Sequence, residues 1–349
     1  MKKFLLLSVM GLSLLALLSA PLPAHSADKP IELKLASHWP VLHDMNNVMV
    51  EFARAIGRES NGRIHVTYYP AGMLAGSFEK YEKVRAGVCD ITNIHIVAHP
   101  GALPLVQLST LPFLFKDGTE ATWVLNQMND IWGPRLEEKG LKLLFMIGDP
   151  NFQILLKDKK VTKLEDMKGL RLRCGGIADE ALKLYGSVPV KLKHTDMYLS
   201  MQRGVVDGIV FPVGAGRSFK LEEVSKYCLK IDFFSYHLME AMNLKTWNRL
   251  PKDLQDAVMR ASYQAMNLSG FHYQNTDAFT FPYLKSKGVE IIELDNTELN
   301  KFKSKVAGLK DKMIADLEKK GIPGKKTMDR MEELMQEYRA WSGKATPKY

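Results

Sequence analysis

Cysteine is scarce in this chain. Among 349 residues there are three, Cys89, Cys174 and Cys228, and no two stand at C-x-x-C spacing. A redox dithiol and a cysteine-ligated zinc site therefore have no support, and the odd count leaves at least one thiol outside any disulfide. Cys89 and Cys228 sit in apolar stretches and are expected to be buried; Cys174 follows Arg173 and is read as a small buried residue beside a ligand-facing position. G-x-S-x-G, H-E-x-x-H and G-x-x-x-x-G-K-[ST] are all absent, so no nucleophile elbow, zincin helix or P-loop is available. No basic tract interleaved with aromatics occurs, and no nucleic-acid partner is expected. After the first residues no run is long and apolar enough to cross a bilayer, so the mature chain is expected to be soluble.

What is present begins with a leader. Lys2 and Lys3 give a positive start, and Phe4 to Leu18 is almost unbroken apolar sequence. Ala24-His25-Ser26 puts small residues where a signal peptidase reads. Residues 1–26 are thus expected to be a signal peptide cut before Ala27, and the periplasm is the expected compartment. Removing Lys2 and Lys3 takes the formal charge from +9 to 9 − 2 = +7. The remaining lysines alternate with acids, as in LKDKMIADLEKK, and read as solvated helix faces.

About 323 mature residues exceed one comfortable core and suggest two lobes. Strand patterns at Ile31–Ala36, Ile64–Tyr69, Val88–Ile91 and Leu141–Gly148 alternate with helical patterns. Those helices are expected near Met45–Ile56 (capped by Asp44), Ser77–Arg85 and Thr119–Met128. This alternation predicts an α/β fold with parallel sheets. Leu108–Phe115 reads as a bent strand or crossover. Pro251 opens a long helix to about Asp277 that can bridge both lobes. Two more helices are expected near Thr297–Lys320 and Met328–Trp341. The lobes are expected to comprise 27–150 plus 238–277, and 151–237 plus 278–349.

Glu165 to Pro212 is the most informative stretch. A strand ends on Arg173, a helix-like run and the short strand Val188–Val190 follow, and a helix over Asp196–Arg203 leads into the apolar Val205–Val210. Ligands of open α/β sheets bind at strand C-terminal ends. A guanidinium there matches a carboxylate with two parallel hydrogen bonds. The alternative is an ion pair between Arg173 and an acid of its own lobe. His95 and His99 stand four apart, but Pro100 removes the helix that a metal pair would need, so no metal and no cofactor are expected. Gly175 to Ile177 could cradle an anion at a helix start but lacks a dinucleotide fingerprint.

Several segments together resemble the DctP-like solute receptors of tripartite ATP-independent periplasmic (TRAP) transporters. They are ESNGRIHV (59–66), YPAGMLAG (69–76), VRAGVCDIT (84–92), LPFLF (111–115), EDMKGLRLR (165–173), YGSVPVKL (185–192), DMYLSMQRGVVDG (196–208) and WNRLPKDLQ (247–255). The resemblance implies a two-lobed, hinged fold of the class II periplasmic binding type that captures a small organic acid by lobe closure. It implies delivery to large and small permease subunits, and a carboxylate partner for Arg173. Where many members carry a second arginine this chain has Gln153. Where many carry a polar residue it has Phe211, and a position often polar or acidic is His95. These departures point to a monocarboxylate with an apolar or aromatic body, enclosed by Trp39, Phe152, Phe211 and Tyr236 with His38 nearby. The alternative for Phe152 and Tyr236 is packing in the hinge. A receptor for an ABC transporter or a sensor kinase, or a secreted enzyme on this fold, are the rival readings; no nucleophile–base pair supports the last.

Overall fold

The computed structural model describes residues 29–345 apart from Ser77; the expected leader lies outside the described residues. Eleven strands follow in chain order. They are β1 (Ile31–Ala36), β2 (Ile64–Tyr69), β3 (Ile91–His95), β4 (Leu141–Gly148), β5 (Gln153–Leu156), β6 (Arg171–Arg173), β7 (Val188–Val190), β8 (Gly208–Phe211), β9 (Tyr227–Lys230), β10 (His237–Asn243) and β11 (Glu290–Glu293). They form two sheets, ordered β2-β1-β3-β10-β4 and β11-β9-β5-β8-β6-β7.

Each sheet is parallel except for one strand, which corrects the expectation of purely parallel sheets. β10 runs antiparallel to β3 and β4, and β5 runs antiparallel to β8 and β9. The reason lies in the connections. Chain leaves the first sheet through 149–152 and returns through 231–236, two short links between the strands' C-terminal edges, so β5 and β10 each enter a sheet at the edge where its parallel strands end and run against them. Those links also bond to each other. Phe152 N–H donates to Phe234 O (2.7 Å), Phe233 N–H to Phe152 O (3.0 Å) and Asp149 N–H to Tyr236 O (3.2 Å). Gly148 enters this hinge against the helix Gly118–Gln127, where a Cβ would lie 2.7 Å from that of Ala121.

The helix over Asp44–Glu59 is capped by His43, whose Nδ1 accepts from Met45 N–H (3.2 Å), and not by Asp44 as expected. Only Lys80–Arg85 of the expected Ser77–Arg85 helix forms. Leu108–Phe115 is no strand: a 3-10 helix covers Val106–Thr110, and Phe113 takes a left-handed φ of 58°. The long helix runs over Lys252–Ser286, past its expected end near Asp277 and through Pro282. It packs on Asp44–Glu59 and β4 at one end and on β11 at the other.

The last helix, Gly324–Ala345, falls in the stretch expected to belong to the second lobe. Its buried Met328, Met331, Leu334 and Met335 close on the core, and it lies along the first-lobe helix Gly118–Gln127. Tyr338 meets the Trp123 ring at 5.6 Å, and Arg339 Nε donates to the fully buried Glu120 Oε1 at 2.5 Å. A buried carboxylate needs such a partner, and the helix supplies it.

Candidate functional site

The C-terminal ends of β1, β3, β6, β7 and β8 converge on one cleft. β6 delivers Arg173, whose register partners are Ile209 of β8 and Val190 of β7. The guanidinium is almost completely buried. Its Nε donates to Leu192 O (3.4 Å) and one terminal nitrogen to His194 Nε2 (3.3 Å), while its carbon sits 5.7 Å from the Phe211 ring centre. No ion pair to Arg173 occurs among the described residues; Asp179 is the last and smallest of the groups that act on its pKa. The ion-pair alternative to a ligand role therefore has no partner here. Burial pulls the arginine below its usual range. It also pulls His194 down to about 4, helped by the neighbouring guanidinium, so His194 accepts as a neutral ring.

Phe211 closes the floor beneath Arg173. Its ring lies 5.7 Å from His194, 5.7 Å from Phe219 and 6.1 Å from Phe152. Phe152 in turn belongs to the hinge, 4.9 Å from Phe234 and 4.8 Å from Tyr236. Tyr236 joins hinge to site: its hydroxyl donates to Gly175 O at 2.5 Å, just past Arg173. Gln153 pairs in register with Phe211, but its amide is fully occupied. Nε2 donates to Asn151 O (3.2 Å) and Asp232 Oδ1 (2.7 Å), and Oε1 accepts from Ile231 N–H (2.7 Å) and Asp232 N–H (3.0 Å). An amide has two donors and two lone pairs, so nothing remains for a ligand. Gln153 thus spends its amide on the links at 149–152 and 231–236, where the expectation was a ligand contact.

The opposite wall comes from the first lobe. Past β1, His38 sits beside the buried Trp39, with ring centres 4.8 Å apart. His95 ends β3, and its Nε2 is 3.1 Å from His38 Nε2. Behind them lies Lys80, fully buried, with Nζ 2.7 Å from His38 Nδ1 and in short contact with Asn93 Oδ1. Glu240 of β10 faces Asn93 in register and is also fully buried. Burial lowers the Lys80 pKa to about 7 and raises that of Glu240 to about 8. Desolvation first, then Lys80, holds His38 well below its ordinary pKa; desolvation first, then His38, does so for His95. His194 of the second lobe contributes to both shifts, so the two walls face one another.

Of the residues expected to contact a ligand, Arg173 and Phe211 lie together on one wall and His38, His95 and Trp39 on the other. Lys80, Asn93, Glu240 and His194 were not expected beside them. The available signal was the presence of Asn93 and Glu240 in ITNIH and HLMEAMN, strands that are apolar enough to be internal.

The sequence profile of the bacterial extracellular solute-binding proteins, family 7 (DctP), matches residues 35–316. A protein of Haemophilus influenzae is 29% identical over 293 residues, 82% of this chain and 88% of its own. A TRAP periplasmic solute-binding protein from Desulfovibrio salexigens superposes with a TM-score of 0.81 at 25% identity, covering 91% of this chain and 99% of its own. A TRAP solute-binding protein from Rhodoferax ferrireducens, solved with copurified benzoate, gives 0.80 at 22% identity over 89% and 99%. With its profile match spanning most of the chain and its two sheets meeting at a cleft, the protein belongs to the DctP family, the periplasmic solute receptors of TRAP transporters.

Proposed function

We propose that this receptor captures a small organic monocarboxylate with an apolar or aromatic body and delivers it to the membrane subunits of a TRAP permease. The carrying observation is Arg173: a buried guanidinium over a phenyl ring, without a carboxylate partner among the described residues. A buried unpaired charge is costly, and a ligand carboxylate would relieve that cost. In a water-poor cleft the pair strengthens as the local dielectric falls. Contacts from the opposite wall then favour a closed arrangement in proportion to their differential affinity. Phe211, Phe219 and Trp39 offer apolar surface to the ligand's body, and both expected departures from a polar pocket, at Phe211 and Gln153, remove polar contacts. The benzoate in the similar fold from Rhodoferax ferrireducens agrees with this reading. No helix among the described residues is long and apolar enough to cross a membrane, which accords with a receptor released into the periplasm.

Titration calorimetry tests the reading. Benzoate is expected to bind, and galacturonate, which needs several polar partners, to bind at least about tenfold more weakly. Preference for the sugar acid overturns the apolar-body assignment.

A further inference from the structure

Lys80 is an unusual residue to find at the back of a binding cleft. It is fully buried, touches no solvent, and aims its amine at two acceptors, His38 Nδ1 and Asn93 Oδ1. We propose that Lys80 is a positioning residue that fixes the tautomers of the His38–His95 pair. It thereby makes the first-lobe wall a subsite for a hydrogen-bond-accepting oxygen, a hydroxyl or carbonyl, borne on the ligand remote from its carboxylate. The inference rests on the monocarboxylate reading above.

The argument follows the protons. A neutral imidazole carries one, so the nitrogen that accepts from Lys80 cannot also donate. His38 Nδ1 is thereby the acceptor and its proton sits on Nε2. That nitrogen faces His95 Nε2 at 3.1 Å, which must then accept. The His95 proton is left on Nδ1. Among the described residues no protein group accepts from His95 Nδ1, and His95 is only half-buried. A donor of fixed position therefore remains at the end of the relay, on the wall facing Arg173. The relay runs in this direction with Lys80 as an ammonium, which has three donors and no lone pair, the form that Glu240 stabilises; with a neutral amine the His38 proton can sit on Nδ1 toward Asn93 Oδ1 and the direction reverses. Asn93 Oδ1 lies 3.0 Å from His38 Nδ1, and the Lys80 amine bridges these two acceptors.

The surroundings keep the rings neutral. Desolvation opposes a proton on either ring most, and Lys80 and His194 act the same way; His43 adds to this for His38 and His99 for His95, while the Asn93 hydrogen bond acts against it at His38. Glu240, from the strand behind, is the one acid acting on Lys80 and stabilises its charged form; Cys89 adds a smaller effect of the same sign. An aspartate or glutamate beside the imidazoles would have made them cationic and suited to a second anion. Such an acid is missing from the groups that act on His38 and His95, so an uncharged oxygen fits this wall better than a second carboxylate.

The probes are benzoate, 3-hydroxybenzoate and isophthalate, titrated into the mature protein. The hydroxy acid is expected to bind about tenfold more tightly than benzoate, as one buried hydrogen bond allows. Isophthalate is expected to bind more weakly than the hydroxy acid. His95→Phe should bring the affinity ratio of the hydroxy acid to benzoate down to about one, and Lys80→Met should reduce that ratio, whatever either variant does to benzoate itself. Nitrogen-15 NMR of the histidine rings gives a readout that needs neither ligand nor variant. It should show His38 protonated at Nε2 and His95 at Nδ1. A His95 ring protonated at Nε2, or a hydroxy preference that survives in His95→Phe, overturns the inference. Failure of all three acids to bind would instead overturn the aromatic monocarboxylate reading, with the NMR result still deciding the relay.

Discussion

The two walls of the cleft differ in how completely they are satisfied. On the second-lobe wall Arg173 is charged, buried and without a carboxylate. The first-lobe wall is neutral at its surface, and hydrogen bonds from Lys80 through His38 to His95 hold it. An unsatisfied charge gains most from a ligand, whereas a pre-wired neutral pair gains little but accepts only one pattern of donors and acceptors. On the proposed function, the contrast leads us to expect affinity from the arginine side and discrimination from the histidine side.

The largest expected effect breaks the arginine side. Arg173→Ala should weaken benzoate binding at least about a hundredfold, since an unpaired buried carboxylate costs roughly 2–5 kcal/mol. Arg173→Lys should rescue it only in part, because an ammonium lacks the planar fork. Near-unchanged calorimetric affinity in the alanine variant would remove Arg173 from the site.

Gln153 marks the border between wall and hinge. Gln153→Leu should leave the Ile231 and Asp232 amides without acceptors and lower unfolding stability by about 1–3 kcal/mol. Urea titration measures this, and benzoate affinity should stay within about threefold. An affinity loss like that of Arg173→Ala would return Gln153 to the pocket.

Phe211→Asn should weaken benzoate by about tenfold, through lost apolar contact and the lost ring face beneath the guanidinium. Equal or better binding would contradict the apolar-pocket reading.

The smallest effect concerns pH. Asp149, in the hinge, hydrogen-bonds with Tyr273 of the long helix, and burial raises its pKa from 3.8 to about 7. The folded chain therefore holds a proton that the unfolded chain has lost between those values. This contribution to stability falls as pH rises through that window and is level above it. Asp149→Asn should flatten the slope between about pH 4 and 7, read from urea midpoints; an unchanged slope would place its origin elsewhere, with Glu240 the next acid to examine.

Local pattern made β1, β2 and β4 legible because each is an alternating or apolar run ended by turn residues, and their bounds match those expected. Arg173 was legible because it closes a strand. The long helix was underread at its far end, where Pro282 and several aromatics interrupt the helical pattern that tertiary packing nonetheless completes. Lys80 was illegible for a different reason. In EKYEKVRAG it looks like any lysine on a solvated helix, and only the approach of β3 and β10, distant in sequence, buries it. His194 lies past the end of β7, outside any repeating pattern, and acquires meaning only beside Arg173.

The placement of the last helix has a mechanical consequence. The backbone passes between the two bodies at 149–152, at 231–236, along the long helix, and again where the chain leaves Asn296–Val306, beside Ile177–Leu184, for the helices against the first body. A plate held by one strap can swivel about three axes; a plate held by several separated straps keeps one axis and loses the others. Separated connections of this kind resist twisting and sliding between the two bodies more than one link would, and rotation about the paired links at 149–152 and 231–236 is the relative motion they oppose least.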